Sequence, residues 1–356
     1  MRRILLLNTD LELGGTPTVI RELATRLTKA TNAHLEVACL ATFGPIGHQI
    51  EQAGIKVTAL NAAGALDLMV AARLIRLIRK HRIDTVFSFL VHANTMAAVA
   101  SRYCRDVRFI QAIQTTQPRP RWHWPVQAAA QYAAERIVTP SHSVEQAARD
   151  WAYVPPEKIV VIPNAIDLPP AMPDFNRPVK SGVARIGFIG RLDPVKRVEY
   201  LVVAMNHVRG AHLQIFGAGE RRAALEELID QQKLADRVTL RGPSSGPMEA
   251  LRQIDVLVLP SEAEGFPLVL IEAMATGVPI VATDAPGIRD VVSNGATALM
   301  VPVGSPTKLG AAIQRLVDDA PLRRRLATDA YAEVSRRFTW DRVLPQYMRL
   351  LQLQGA

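Results

Sequence analysis

Short, unbroken apolar runs recur along this chain, separated by longer segments whose apolar residues return at helical spacing. An apolar run of four to six residues without alternation is the signature of a strand buried on both faces. In the first half such runs predict strands near Ile4–Leu7, Leu35–Leu40, Lys56–Leu60, Thr85–Phe89, Arg108–Ile113, Arg136–Thr139 and Ile159–Ile162. In the second half they predict strands near Arg185–Ile189, Ala211–Phe216, Arg237–Leu240, Asp255–Leu259, Pro279–Ala282 and Ala298–Val301. Strands alternating with amphipathic helices make parallel sheets. The proline-dense stretch from Leu168 to Pro178 can continue neither a central strand nor a helix. The expected division is therefore a domain over 1–167, a linker over 168–183, a domain over 184–337 and a terminal amphipathic helix over 338–356. The fold class is α/β, two doubly wound domains facing each other across a cleft, with ligands at the carboxyl ends of the strands.

Composition narrows the partners. The 356 residues and 49% apolar content suit two ordinary cores. Met1-Arg2-Arg3 runs straight into the first strand, and no apolar run is long enough to span a bilayer. A cytosolic chain is the expectation, with peripheral attachment to the inner membrane face as an extension of it. Cys39 and Cys104 offer neither a disulfide framework nor metal-ligand spacing. The net charge of +9 calls for anionic partners, such as phosphates or an anionic membrane surface. Aromatic residues make up 5% of the chain and form no base-stacking motif, which argues against nucleic acid.

The candidate chemistry clusters at strand ends. Glu264 and Glu272 flank a Gly265-Phe266-Pro267-Leu268 turn that follows the run at Asp255–Leu259. Pro267 suits the first position of a helix carrying Glu272, and the free N–H groups of that helix make an anion site. A carboxylate beside it can accept the two hydroxyls of a ribose. The motif asks for a ligand with hydroxyls and phosphate together, and a nucleotide sugar fits. Gly190-Arg191 and Lys196 follow the strand at Arg185–Ile189; a guanidinium fork and an ammonium there suit a diphosphate. A solvated turn is the plain alternative, and Arg197 is read as facing solvent. Gly14-Gly15 in the first strand–helix loop lets a ligand approach the backbone. Gly217 and Gly219 read either as a second such loop or as a tight turn. Arg241, in Leu240–Ser244, lies in a segment whose backbone can meet a base edge or simply end a strand. His92 and Asn94, after Thr85–Phe89, are candidates to line the cleft, with a structural histidine as the alternative. The basic run Arg73–Arg82 reads as a helix with Val70, Leu74, Leu77 and Ile78 inward and its cations solvated. Trp122 and Trp124, beside Arg119 and Arg121, suit a membrane interface or a lipid-linked acceptor.

Together these segments resemble glycosyltransferase family 4, retaining enzymes of the GT-B fold built from two Rossmann-like domains. The resemblance covers nearly the whole chain. It rests on Gly14-Gly15, Val138–Ser141, Val161–Asp167, Gly190-Arg191 with Lys196, Gly217-Ala218-Gly219, and Glu264 to Glu272 with Gly265-Phe266-Pro267. It implies that Arg191 and Lys196 bind the donor diphosphate, Glu264 contacts the transferred sugar and Glu272 binds ribose. It also implies an N-terminal acceptor domain, a C-terminal donor domain and a final helix returning to the N-terminal domain. One departure is Gln114, in Gln111–Thr116, where many members carry a histidine near the donor sugar. Gln114 can hydrogen-bond but cannot carry a proton charge. Phe87–Asn94 resembles a subgroup acting on surface polysaccharides and lipid-linked glycans. The implied activity is hexosyl transfer from a nucleotide diphosphate sugar to a glycan or lipid-linked hydroxyl, with no metal or other cofactor. A nucleotide-sugar epimerase of the same fold and a non-catalytic sugar-nucleotide binder are the alternatives.

Overall fold

Each apolar run forms a strand in the computed structural model, which describes residues 1–64, 67, 69–117, 120–176, 182–244 and 246–355. In the first half these are β1 (Arg3–Asn8), β2 (His34–Cys39), β3 (Lys56–Ala59), β4 (Thr85–Phe89), β5 (Arg108–Ala112), β6 (Arg136–Thr139) and β7 (Ile159–Val161). In the second they are β8 (Ala184–Ile189), β9 (Ala211–Phe216), β10 (Val238–Gly242), β11 (Val256–Leu259), β12 (Ile280–Thr283) and β13 (Leu299–Val301). The central runs are fully buried because helices cover both faces of each sheet; every residue of β4, β11 and β12 is buried.

The first sheet has the order β3-β2-β1-β4-β5-β6-β7 and the second β10-β9-β8-β11-β12-β13, with all pairings parallel. In each, strand order reverses once, between β1 and β4 and between β8 and β11. At such a reversal the loops leaving the two strands turn to opposite faces and open a crevice at their carboxyl ends, where ligands bind in open α/β sheets.

Contacts divide the chain into two units, Met1–Asn164 with Asp341–Ala356 and Ala165–Trp340. Within the first, the helix Trp340–Leu350 buries Tyr347 against Phe87, ring centroids 6.2 Å apart, and Gln352 accepts a hydrogen bond from Arg2 at 2.7 Å. Within the second, the proline-dense stretch touches its unit at Pro173 and Phe175, with Met172 just before them exposed. Phe175 stacks edge-on against Tyr331, and a Cβ on Gly277 would lie 2.8 Å from Pro173. Residues 177–181 of the expected linker lie outside the described residues.

Candidate active site

The loops leaving β8 and β11 flank the reversal of the second sheet, and they carry the opposite charges singled out in the sequence. Lys196 Nζ donates to both oxygens of Glu264, at 2.7 and 2.8 Å. Glu264 is 8% exposed, so the pair is part-buried, where charge interactions are less screened than in water. Arg191 is mostly exposed, with one contact to Asp193 at 3.1 Å. Much of its fork therefore remains open to a phosphate group.

The loop after β12 holds Glu264 from behind. The Glu264 amide donates to Pro286 O at 3.0 Å, and a Cβ on Gly287 would lie 2.1 Å from Glu264 O. Gly287 has φ +79°, a left-handed conformation that glycine adopts without cost. Thr283 Oγ1 donates to Ser261 O at 2.5 Å, tying the same loop to the end of β12.

Gly217 and Gly219 have a packing reason of their own. The β8 loop crosses the β9 loop at backbone contact: a Cβ at 217 would lie 1.8 Å from Gly190 O, and one at 219 would lie 2.4 Å from Leu192 O. Leu192 N donates to Ala218 O at 2.8 Å, so Gly190 and the Arg191 loop are fixed by β9 as much as by β8. Arg241 is exposed at an irregularity near the end of β10, and its charge is one cause of the lowered pKa of His212, after burial.

Glu272 lies on the helix Leu268–Ala275, as its spacing predicts. Its Oε2 is shielded from solvent with no hydrogen-bond partner, and burial pushes its pKa up to about 7. A buried, unsatisfied carboxylate oxygen is costly unless a ligand supplies donors.

Several expectations are corrected. Pro267 is the N-cap rather than the first helical residue, with extended ψ 105°. Phe266 is 8% exposed and packs edge-on against Phe338 at 5.3 Å, so its side chain anchors the loop in the core. Leu268 likewise packs against the core of the second unit, half-buried. Arg197 does not stand free in solvent: its guanidinium donates to Glu262 at 2.8 and 2.5 Å.

In the first unit, Gly14 caps and Gly15 begins the exposed start of the helix Gly15–Ala30 after β1. No atom beyond Pro17, 3.5 Å away, crowds a Cβ at position 14, so the fold itself does not demand glycine there. Asn94 is fully buried and lines no cleft. It accepts from Ser88 Oγ at 2.7 Å and donates to Ala112 O and Gln127 Oε1 at 3.0 and 2.9 Å, all its polar atoms spent inside the unit. Gln114 is half-buried, and its Nε2 is shielded without a partner. His92 is half-buried beside Trp122 and His123, ring centroids 5.5 and 6.1 Å away. Burial, and then the His92 charge, lower the His123 pKa, which favours the neutral ring. Trp122 is 48% exposed, but Trp124 is buried, donating to Gln117 O at 2.9 Å and packing on Trp151. Trp124 therefore cannot serve a membrane interface, and Arg119 lies outside the described residues.

Glu262, Pro286 and Gly287, around Lys196 and Glu264 in the second unit, and His123, beside His92 in the first, are neighbours that sequence reasoning missed. Glu262 stands two residues before Glu264, but nothing in the local pattern tells which residues of an irregular loop face a partner loop. Among the described residues no group of three or more His, Cys, Asp or Glu is disposed to hold a metal ion.

Two family models match the chain: Glycosyltransferase Family 4 over residues 13–169 and Glycosyl transferases group 1 over residues 174–333. The chain is 30% identical over 275 residues to the D-inositol 3-phosphate glycosyltransferase of Stackebrandtia nassauensis, an alignment covering 70% of this chain and 59% of that one. It is 33% identical over 196 residues to the lipopolysaccharide core biosynthesis glycosyltransferase LpsD of Rhizobium meliloti, covering 54% and 57%. The chain thus spans under two thirds of the length of these curated relatives. Its fold is that of the Anabaena protein HepE, solved in complex with UDP-glucose, with TM-score 0.88 at 21% identity over 99% of this chain and 100% of that one. Two parallel-sheet units of the GT-B type, with two family models that meet end to end along almost the whole sequence, lead to one assignment: the chain belongs to glycosyltransferase family 4.

Proposed function

We propose that the protein is a retaining glycosyltransferase, moving a sugar from a nucleotide diphosphate sugar to a hydroxyl of a glycan or lipid-linked acceptor in surface polysaccharide or glycoconjugate synthesis. The observation that carries this reading is the Lys196–Glu264 pair beside the open fork of Arg191, at the strand-order reversal of the second sheet. An ammonium has three N–H donors. Two engage Glu264, and the third is left for a phosphate oxygen, while Glu264 is held where a sugar hydroxyl can reach it. Arg191, Lys196 and the start of the helix Leu268–Ala275 then take up the negative charge that grows on the departing diphosphate. The unsatisfied Oε2 of Glu272 is the acceptor a ribose would fill.

In this scheme the bond between the anomeric carbon and the diphosphate breaks while the acceptor oxygen bonds to the same face of that carbon. The acceptor proton passes to an oxygen of the leaving phosphate. No ionisable side chain is needed at Gln114, whose amide instead offers a hydrogen bond to a sugar hydroxyl. The second unit is the donor domain and the first the acceptor domain. The names of the relatives support a phosphorylated polyol or lipopolysaccharide as acceptor class, and the ligand of HepE makes UDP-glucose the first donor to test. An anionic membrane surface is a further proposed partner.

The test is sugar transfer by the purified protein, with UDP-, GDP- and ADP-sugars and a panel of glycan and lipid-linked acceptors, without added divalent ion. Transfer with retained anomeric configuration supports the reading. Strict dependence on a divalent ion, reversed by chelator, counts against it. Epimerised sugar formed without any acceptor overturns it in favour of an epimerase, and donor binding with no turnover favours a binder.

A further inference from the structure

Three consecutive cross-links join residues 195–197 of the β8 loop to residues 262–264 of the β11 loop. The Glu262 amide donates to Val195 O at 2.8 Å. The Arg197 guanidinium donates through Nε and NH2 to Glu262 Oε2, at 2.8 and 2.5 Å. Lys196 closes the series on Glu264. The middle link is unusual in its backbone. Arg197 sits at φ +50°, ψ +38°, the left-handed region that side chains with a Cβ enter at a cost. Nothing about the turn itself requires arginine there, since glycine would adopt the same angles freely. The side chain is what the position gains. It reaches 65 residues along the chain to Glu262, and also lies 3.6 Å from Glu199 and above the Tyr200 ring at 5.8 Å.

We propose that Arg197 and Glu262 form a positioning latch that sets the Lys196–Glu264 pair in register for the reaction. The inference rests on the reading of that pair as the donor-site machinery. Arg197 and Glu262 are both partly exposed, at 31% and 45% of their side-chain surface. A pair so placed adds little to global stability, because water screens it and both side chains lose freedom. Its worth lies in geometry. Lys196 and Glu264 come from loops on either side of a strand-order reversal, and each loop is irregular. The latch and the Glu262–Val195 bond fix one loop against the other within two residues of each charged group. A displacement of about 1 Å at a reacting centre can cost on the order of a hundredfold in rate. The latch is thus expected to influence turnover far more than folding.

The experiment uses the full chain with Arg197→Gly, Glu262→Gln and the double variant. Arg197→Gly keeps the left-handed backbone without strain and removes only the side chain. Glu262→Gln keeps size and removes charge. Two readouts are taken: amide hydrogen exchange over residues 193–197 and 260–267, and steady-state kinetics with the nucleotide sugar that most stabilises the wild type in a thermal-shift screen. Each single variant should exchange faster in both segments, with Tm changed by less than about 3 °C. Each should lower kcat about 10- to 100-fold with KM changed less than about threefold. The double variant should be no worse than the singles, the mark of one shared interaction. Unchanged exchange in Glu262→Gln overturns the latch whether or not the protein is a transferase. Faster exchange with unchanged kcat also overturns it, because position would then not matter. A wild type that exchanges as expected but turns over no nucleotide sugar sinks the transferase reading and leaves the latch without a reaction to serve, which overturns the proposal as stated.

Discussion

Lys196 and Glu264 are 68 residues apart in sequence and in contact in the fold, and their chemistry is that of the pair. Removing the ammonium deprives the part-buried Glu264 of its ion pair and, in the proposed reaction, takes away a donor to the departing diphosphate. Lys196→Met, which keeps most of the side-chain length, should therefore lower kcat more than it weakens donor binding. About 2–4 kcal/mol of transition-state stabilisation is the expected loss, read as the change in kcat/KM against the change in donor Kd. Glu272 gives the second residue-level prediction. Burial raises its pKa from 4.5 to about 7, so the folded state holds the proton more tightly than the unfolded chain. Its stability contribution is complete below about pH 4.5 and is lost as pH rises through 7, on the order of 3 kcal/mol by pH 8. Glu272→Gln should flatten that part of the pH–stability curve, measured by urea unfolding from pH 5 to 8. Because ribose hydroxyls favour the carboxylate, nucleotide binding to the wild type should also tighten over the same range, and that of the variant should not.

At the scale of elements, the loops leaving β8 and β11 are held by each other and by the core rather than by their own turns. Phe266 pins the β11 loop by packing on Phe338, and Gly287 lets the β12 loop pass against the Glu264 peptide. Phe266→Ala should cost about 3–5 kcal/mol of stability, as large aromatic truncations in cores do, checked by denaturant unfolding. Gly287→Ala acts differently. It places a carbon 2.1 Å from Glu264 O and forces a side chain into a left-handed position, so the Glu264 loop must shift. Turnover should fall by at least tenfold in protein that remains folded, seen by comparing kcat with the near-ultraviolet circular dichroism. The strands, by contrast, were legible as elements from their apolar runs alone, because burial on both faces favours apolar residues and admits only the few polar ones that find partners, such as Ser88. Their ends agree with the sequence reading to within two residues, and where they differ, hydrogen bonding to a neighbour decides the last residue.

Across the whole molecule, charge is unevenly shared. The first unit has 21 Lys and Arg against 13 Asp and Glu, and the second 21 against 20, so nearly all of the +9 lies on the first. The exposed Trp and Tyr side chains, Tyr103, Trp122, Tyr132, Trp151 and Tyr153, also lie on that unit. Among the described residues no helix is long and apolar enough to cross a membrane. Basic surface with scattered exposed aromatics suits attachment to an anionic lipid surface. The protein should sediment with vesicles containing phosphatidylglycerol and not with neutral phosphatidylcholine vesicles, and salt at 0.5 M should release it. Equal binding to both vesicle types would remove the electrostatic argument.

The sequence determined the α/β class, the thirteen strands and the segments that gather at the carboxyl ends of β8 and β11, because periodicity and glycine placement are local and survive without a fold. It also singled out Arg191, Lys196, Glu264 and Glu272 as candidates, because charged groups at the carboxyl ends of buried strands can meet a ligand there, with a solvated turn as the plain alternative. What it could not assign was direction. Phe266 and Glu264 stand two residues apart in one loop, yet one turns into the core and the other to Lys196. Asn94 and His92 begin the same helix, yet Asn94 is consumed by a buried amide network. Arg197 follows Lys196 and looked like a solvated cation until its partner came from another loop. An irregular loop has no period to show which way a side chain points, and its partners lie tens of residues away. Only the packing of one loop against the next decides that.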